Sequence, residues 1–164
     1  MERQPIKRHE AIVAFSREHH FGLLLCWKIR HGIKHLVAPE RIAPYVLHFF
    51  ESDLKAHFEK EEKLLFGRLP GDPLIVQAVG EHGEIYALIN RISSGDQGYE
   101  VLNHFADKLD AHIRFEERTL FNHLQSILSE AELLAVSHHN EAKTCDIDDG
   151  WSDHFWKISN NHDH

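Results

Sequence analysis

From residue 9 to residue 36 the apolar positions recur at intervals of three and four. Ile12, Phe15, His19, Gly22, Leu23, Cys26, Ile29 and Ile33 fall within about 60° of one line on a wheel of 3.6 residues per turn. The pattern predicts a first helix with a single apolar face. Pro39 then interrupts the chain, Pro44 falls in the first turns of a second helix reaching about Phe66, and Gly67 to Gly71 reads as a loop. Asp72 followed by Pro73 has the form of an N-cap with proline at the first helical position. It opens a third helix with Ile75, Ala78, Val79, His82, Ile85, Tyr86 and Ile89 facing inward. Ser93-Ser94-Gly95-Asp96 closes that helix, and a fourth is expected over 97–128. Ser129 with Glu132 forms a capping box for a short fifth helix over about 130–142. No segment alternates with period two over a strand's length. The expected fold is therefore all-α, an antiparallel up-down-up-down four-helix bundle with a short C-terminal helix and tail. Bundle and fifth helix occupy 1–142; the polar tail 143–164, rich in Asp, His and Trp, has no pattern that assigns it.

Two of the predicted helices carry the same stretch, H-x-x-x-E-E-x-x-L-F, at His57 to Phe66 and at His112 to Phe121. Residues four apart on a helix lie on one face about 6 Å from each other, so the His and first Glu of each copy point the same way. That face is otherwise apolar, with Phe50, Leu54, Leu64 and Leu65 beside the first pair and Phe105, Leu109 and Leu120 beside the second. A carboxylate on an apolar stripe is costly without a partner. A metal shared between the two helices would supply one for all four groups.

The repeat extends further. His19, in Glu18-His19, lies 38 residues before His57, and His82, in Glu81-His82, lies 30 before His112, as in two helix hairpins with one ligand order. His19 is near the centre of the first helix's stripe, whereas His20 lies about 100° away. An antiparallel bundle would gather His19, His57, Glu61, His82, His112 and Glu116 in one layer. Four imidazoles and two bridging carboxylates suffice for two metal ions. Imidazole and carboxylate without thiolate suit iron, manganese or zinc, and a carboxylate-bridged pair points to iron first. No Glu is followed by His three residues later, which removes the ferritin-type ligand motif.

Composition agrees with cation chemistry. Histidine accounts for 16 of 164 residues, and the net charge of −8 argues against a nucleic-acid or anionic-membrane surface. No apolar run exceeds the seven residues from Phe21 to Trp27, and Met1-Glu2-Arg3-Gln4-Pro5 lacks the apolar core of a signal peptide, so the cytoplasm is the expected compartment. Cys26 and Cys145 form no redox or metal spacing and read as free thiols, Cys26 in the core. His48, His104 and His123 fall outside the layer. His138, His139, His154, His162 and His164 read as part of a solvated polar tail.

Glu18-His19, His57-x-x-x-Glu61-Glu62, Glu81-His82 and His112-x-x-x-Glu116-Glu117 resemble the hemerythrin-like HHE cation-binding domains over about residues 9–125. The resemblance implies a bundle with a non-haem di-iron centre, bridged by carboxylates and an oxygen species, that binds or reacts with dioxygen. The O2-carrying branch has H-x-x-x-H on its third helix, where Tyr86 here follows His82 by four. It also places its last carboxylate five residues beyond the fourth-helix His, where this chain offers Glu117 beside Glu116. Glu62 and Glu117 are expected to hold imidazole N–H groups. Tyr86 stands open between a ligand, a hydrogen bonder at the centre and a core aromatic. The implied functions are a module that senses, stores or scavenges O2 or a related oxidant, an enzyme decomposing peroxide or reducing NO, or a structural metal-binding domain. The expected partner is the small oxidant itself.

Overall fold

The computed structural model describes residues 7–139 and 147–158, and every regular element among them is helical. Helix α1 spans Glu10–Lys34 and begins at His9, whose Nδ1 accepts from the Ala11 N–H at 3.0 Å. It ends in a turn with Leu36 at φ 57 and the Val37 N–H donating back to the Gly32 carbonyl at 2.9 Å. Helix α2 covers 39–68 with Pro44 inside it, and alternates α-helical Pro39–Phe49 and Lys55–Lys60 with π-helical Phe50–Leu54 and Glu61–Leu65 before a 3₁₀ turn, Phe66–Arg68. Helix α3 is Pro73–Ser93, capped by Asp72, whose carboxylate accepts from the Leu74 and Ile75 N–H groups. Gly95, at φ 109, supplies the left-handed residue after its end. Helix α4 covers 99–127 as Tyr99–Phe115, π-helical Glu116–Leu120 and Phe121–Ile127. Ser129 and Glu132 exchange hydrogen bonds of 3.2 and 3.1 Å at the start of α5, Glu130–His139. The remaining expected residues of this helix, 140–142, lie outside the described residues, as do Cys145, His162 and His164.

Cross-links between helices run in opposite numerical order. On α4, Asn122, Glu117, Ala106 and Asp107 meet Arg8, Ser16, Cys26 and Arg30 of α1 and the residues before it. Tyr45 and Lys60 of α2 meet Lys28 and Glu18 of α1, and Glu84 and Glu81 of α3 meet Lys108 and His112 of α4. Neighbouring helices are therefore antiparallel where these contacts join them, and the described chain is a helical bundle. Its apolar interior forms two clusters. One contains Ile29, Ile42, Phe49, Phe105 and Leu109; the other contains Ile12, Phe15, Leu65, Phe121 and Leu124, closed by Leu133 and Val136 of α5. Burying each of these side chains contributes about 1.5–3 kcal/mol.

Three expectations change. Val79 faces outward, 39% exposed. Leu25 and Lys28, outside the predicted stripe of α1, are buried. The reason for Lys28 is that 147–158 is not a solvated tail: Phe155 and Trp156 are buried and Trp151 lies edge-on to Tyr45. Phe155 packs where a Cβ on Gly32 would come within 3.0 Å of its ring. Lys28 Nζ donates to Tyr45 Oη and to the Asp148 carboxylate, each at 2.8 Å, and lies 4.0 Å from the Trp156 ring centre. Cys26 is in the core, as expected, and burial pushes its thiol up to about 12. No described helix is long and apolar enough to cross a membrane.

Candidate metal centre

All six residues of the expected layer are at most 4% exposed, and they meet between the two apolar clusters. His57 Nε2 and His82 Nε2 each lie 3.3 Å from Glu61 Oε1. His112 Nε2 and His19 Nε2 lie 2.9 and 3.2 Å from Glu116 Oε1, and His19 Nε2 is also 3.8 Å from Glu61 Oε2. The donors form two groups of four, His19, His57, Glu61 and Glu116, and Glu61, His82, His112 and Glu116, with the offered atoms of each group within 4.8 Å of one another. The two glutamates belong to both. His20, by contrast, is exposed, with its ring against Phe21.

The backbone treats both copies of the repeat alike. At Glu61 and at Glu116 the helix widens to a π-turn, and each glutamate's carbonyl accepts from the N–H of the phenylalanine five residues on, Phe66 or Phe121. Both phenylalanines are buried beside the layer, Phe66 against the His82 ring and Phe121 stacked on that of His19.

Each imidazole also has a carboxylate on its outer nitrogen. Nδ1 of His19 lies 2.9 Å from Glu117, that of His82 3.3 Å from Glu62 and that of His112 2.7 Å from Glu81, while Nδ1 of His57 is 3.4 Å from Glu18 without hydrogen-bond geometry. A proton held on Nδ1 by a carboxylate leaves the Nε2 lone pair facing inward, the form that binds a cation. Glu62 and Glu117 are thus each beside an imidazole, that of His82 and that of His19. The matching roles of Glu18 and Glu81 escape sequence reasoning, although both precede a histidine of the layer. Each serves the histidine of a neighbouring helix, which chain order does not show.

Tyr86 is half-buried with its ring edge-on to Phe50 and Phe58, at 5.5 and 5.8 Å between centres, and no described hydrogen bond joins it to the layer. Burial raises its phenol, and Glu62 adds to this. His123 pairs with Asp72 at 2.7 Å, His48 stacks on Trp151, and His104 is exposed.

Without a cation the layer is electrostatically uneven. Burial and the neighbouring Glu116 push Glu61 well above the usual carboxylate range. Glu116 is held well below that range, because the charge of His112 and the close polar groups of Glu61, His112 and His19 outweigh its burial. Two carboxyl groups this close disfavour full ionisation of the pair. Burial alone would lower His112, but Glu116 and Glu81 prevail and raise it to about 10. Burial, followed by the His112 charge, drops His82 to about 3. Nε2 of His57, His82 and His112, both oxygens of Glu61 and Oε2 of Glu116 lack hydrogen-bond geometry despite their close neighbours. Each such buried atom costs about 1–3 kcal/mol. Cations between them would satisfy all six, and the donor set suits iron, manganese or zinc.

Beside His19 and His57 is a cavity with room for about one water-sized molecule, walled by Gly22, Leu54, Phe58 and Ile113. A Cβ at Gly22 would stand 2.7 Å from Ile113 Cδ1, so this close passage of α1 and α4 requires glycine or a shift of Ile113. Two larger hollows, one at Lys7, Arg8 and Arg17 and one at Glu59, Lys60 and Lys63, touch none of the six residues.

The family model described as the hemerythrin HHE cation binding domain matches residues 11–124, a span containing the whole layer. No curated protein and no solved structure matches the chain.

Proposed function

The chain belongs to the hemerythrin HHE cation-binding domain family, and on that premise we propose that it is a non-haem di-iron protein that binds, senses or reacts with O2 or a related small oxidant. The observation that carries this reading is the sharing of Glu61 and Glu116 between two four-donor groups. His19 and His57 would hold one ion and His82 and His112 the other, with the two glutamates bridging. Iron bound there would supply electrons to a small oxidant such as O2, peroxide or NO.

The protein's own groups prepare that chemistry. Glu18, Glu62, Glu81 and Glu117 orient the imidazoles through Nδ1. Phe58, stacked on His82 at 3.9 Å, and Phe121, stacked on His19 at 5.3 Å, exclude water from the layer's two sides. The cavity at Gly22 admits a molecule no larger than a small oxidant. Each half has two imidazoles, because Tyr86 occupies the place of a further histidine and packs on phenylalanines. This favours reaction with the oxidant over its reversible carriage, and so an oxidant-consuming enzyme as the second reading.

Metal analysis of protein isolated without added metal, followed by stopped-flow mixing of the reduced form with O2 and then peroxide, tests both readings. Two irons per chain and a spectral change on mixing are expected. A long-lived adduct marks a binder and turnover an enzyme; zinc alone, with no spectral response, would leave only a structural role. His57→Ala or His112→Ala should lower metal content and thermal stability together, whereas His104→Ala should change neither. Full occupancy in both ligand variants would sink the assignment.

A further inference from the structure

The two halves of the centre have matching donors but different surroundings. Behind His19 and His57 the outer carboxylates each meet a cation: Arg8 lies 3.9 Å from Glu117, and Lys60 Nζ lies 2.5 Å from Glu18. Ser16 Oγ donates to Glu117 as well, at 2.8 Å. Behind His82 and His112 the carboxylates have no such neighbour among the described residues. Glu62 meets His82 alone, and Glu81 accepts from His112 and from the neutral Gln77 amide at 3.1 Å. Two cations therefore face the outer carboxylates on one side, where the buried Asp53 is a further acid at the same cavity, and none faces them on the other, so the outer charge is less negative on the first side. A carboxylate not neutralised by a cation draws the Nδ1 proton more strongly, makes the imidazole a better donor, and adds its own attraction for a metal ion.

We infer that the two metal positions load in a fixed order, the ion between His82 and His112 first and more tightly, the ion between His19 and His57 second and exchangeably, because Lys60 and Arg8 neutralise the outer carboxylates of the second position only. The inference rests on the dinuclear reading above. Solvent screening does not reverse it: Glu62 and Glu117, one from each side, are similarly exposed at 38% and 32%. Sharing of Glu61 and Glu116 widens the gap, since the first ion consumes charge that the second also needs.

Anaerobic calorimetric titration of metal-free protein with Co2+, with the visible absorption of the bound ion as a second readout, tests the order. Two binding steps are expected, but mutual repulsion alone would also separate the steps, so the variants decide. Lys60→Gln should tighten the second step about tenfold and leave the first unchanged, and Glu81→Gln should weaken the first by about 10–100-fold, the range usual for groups that hold ligand imidazoles. His19→Ala should keep one ion at the first step's affinity, whereas His82→Ala should lose that step. Helical circular dichroism checks that each variant folds. The opposite pattern in the two histidine variants, or a second step unmoved by Lys60→Gln, overturns the loading order while leaving a dinuclear centre intact. Fewer than two Co2+ in the unmodified protein overturns the dinuclear reading, and the order with it.

Discussion

Glu61→Gln separates the two demands placed on the layer, because it should be nearly harmless without metal and severe with it. Glu61 is fully buried, and burial together with Glu116 keeps its folded-state pKa raised, so in the metal-free protein its neutral form is favoured. Glutamine has the same shape and is neutral, so the metal-free variant should differ from the parent by no more than about 1 kcal/mol. The pH dependence has a definite sign. A raised carboxyl pKa gives stability that is complete below the ordinary value of 4.5 and is lost as pH rises through the folded-state value. The metal-free parent should therefore weaken with rising pH more than the variant does. Metal reverses the ranking. Each ion at about 100 times its Kd adds about 2.7 kcal/mol, or roughly 5 kcal/mol for two. For a chain of this size that raises Tm by roughly 10–20 °C at about 2–4 °C per kcal/mol. The variant lacks a donor common to both groups and should lose most of that rise. Scanning calorimetry of both proteins, with and without excess metal, gives all four values. An equal metal-induced rise would remove Glu61 as the shared donor. A metal-free variant weakened by more than about 3 kcal/mol would mean that the carboxylate charge is itself structural.

His19→Ala should lower metal content while His20→Ala leaves it unchanged, checked by metal analysis; the reverse would place the first helix one residue out of register. Lys28→Met should cost about 1–2 kcal/mol, because it leaves the Asp148 carboxylate without its ammonium, discounted because Asp148 is partly exposed and still accepts from the Tyr45 hydroxyl. Asp148→Asn should cost about 2 kcal/mol by denaturant unfolding, since it strands a buried ammonium, with a discount because Asp148 is 24% exposed. Leu36→Gly should raise stability by about 1 kcal/mol and Tm by roughly 2–4 °C, because an exposed leucine occupies the left-handed position at the end of α1.

The parts of the molecule that depend on one chain segment at a time were legible in the sequence. Asp72 and Ser129 cap as their spacing predicts, and the period of apolar residues fixes the inner faces of four helices closely enough to choose His19 over His20. What periodicity does not carry is the partner across the bundle. Glu18 and Glu81 are hydrophilic neighbours of histidines on the wheel, and their work on His57 and His112 exists only once the helices are side by side. The π-turns leave no mark in composition, because one added residue per turn changes phase and not hydrophobicity. Trp151, Phe155 and Trp156 have no period, and their meaning comes from the bundle end at Tyr45 and Lys28 that they cover. His123, read only as a non-ligand, is a partner for the Asp72 cap.

The polar layer divides the apolar interior into a cluster on each side, and every long helix passes from one cluster to the other at its ligand residues. In the metal-free chain this waist holds buried polar groups and unpaired atoms where packing would otherwise join the halves, and α2 and α4 cross it through π-turns. Folding cooperativity is weakest where a structure has fewest favourable contacts across a plane, so the halves should behave as two folding units. Amides around Phe15, Leu65 and Leu124 would then exchange hydrogen through openings that spare those around Ile29, Phe49 and Phe105. Ions bound across the waist would act as a rivet, merging two local openings into one global event.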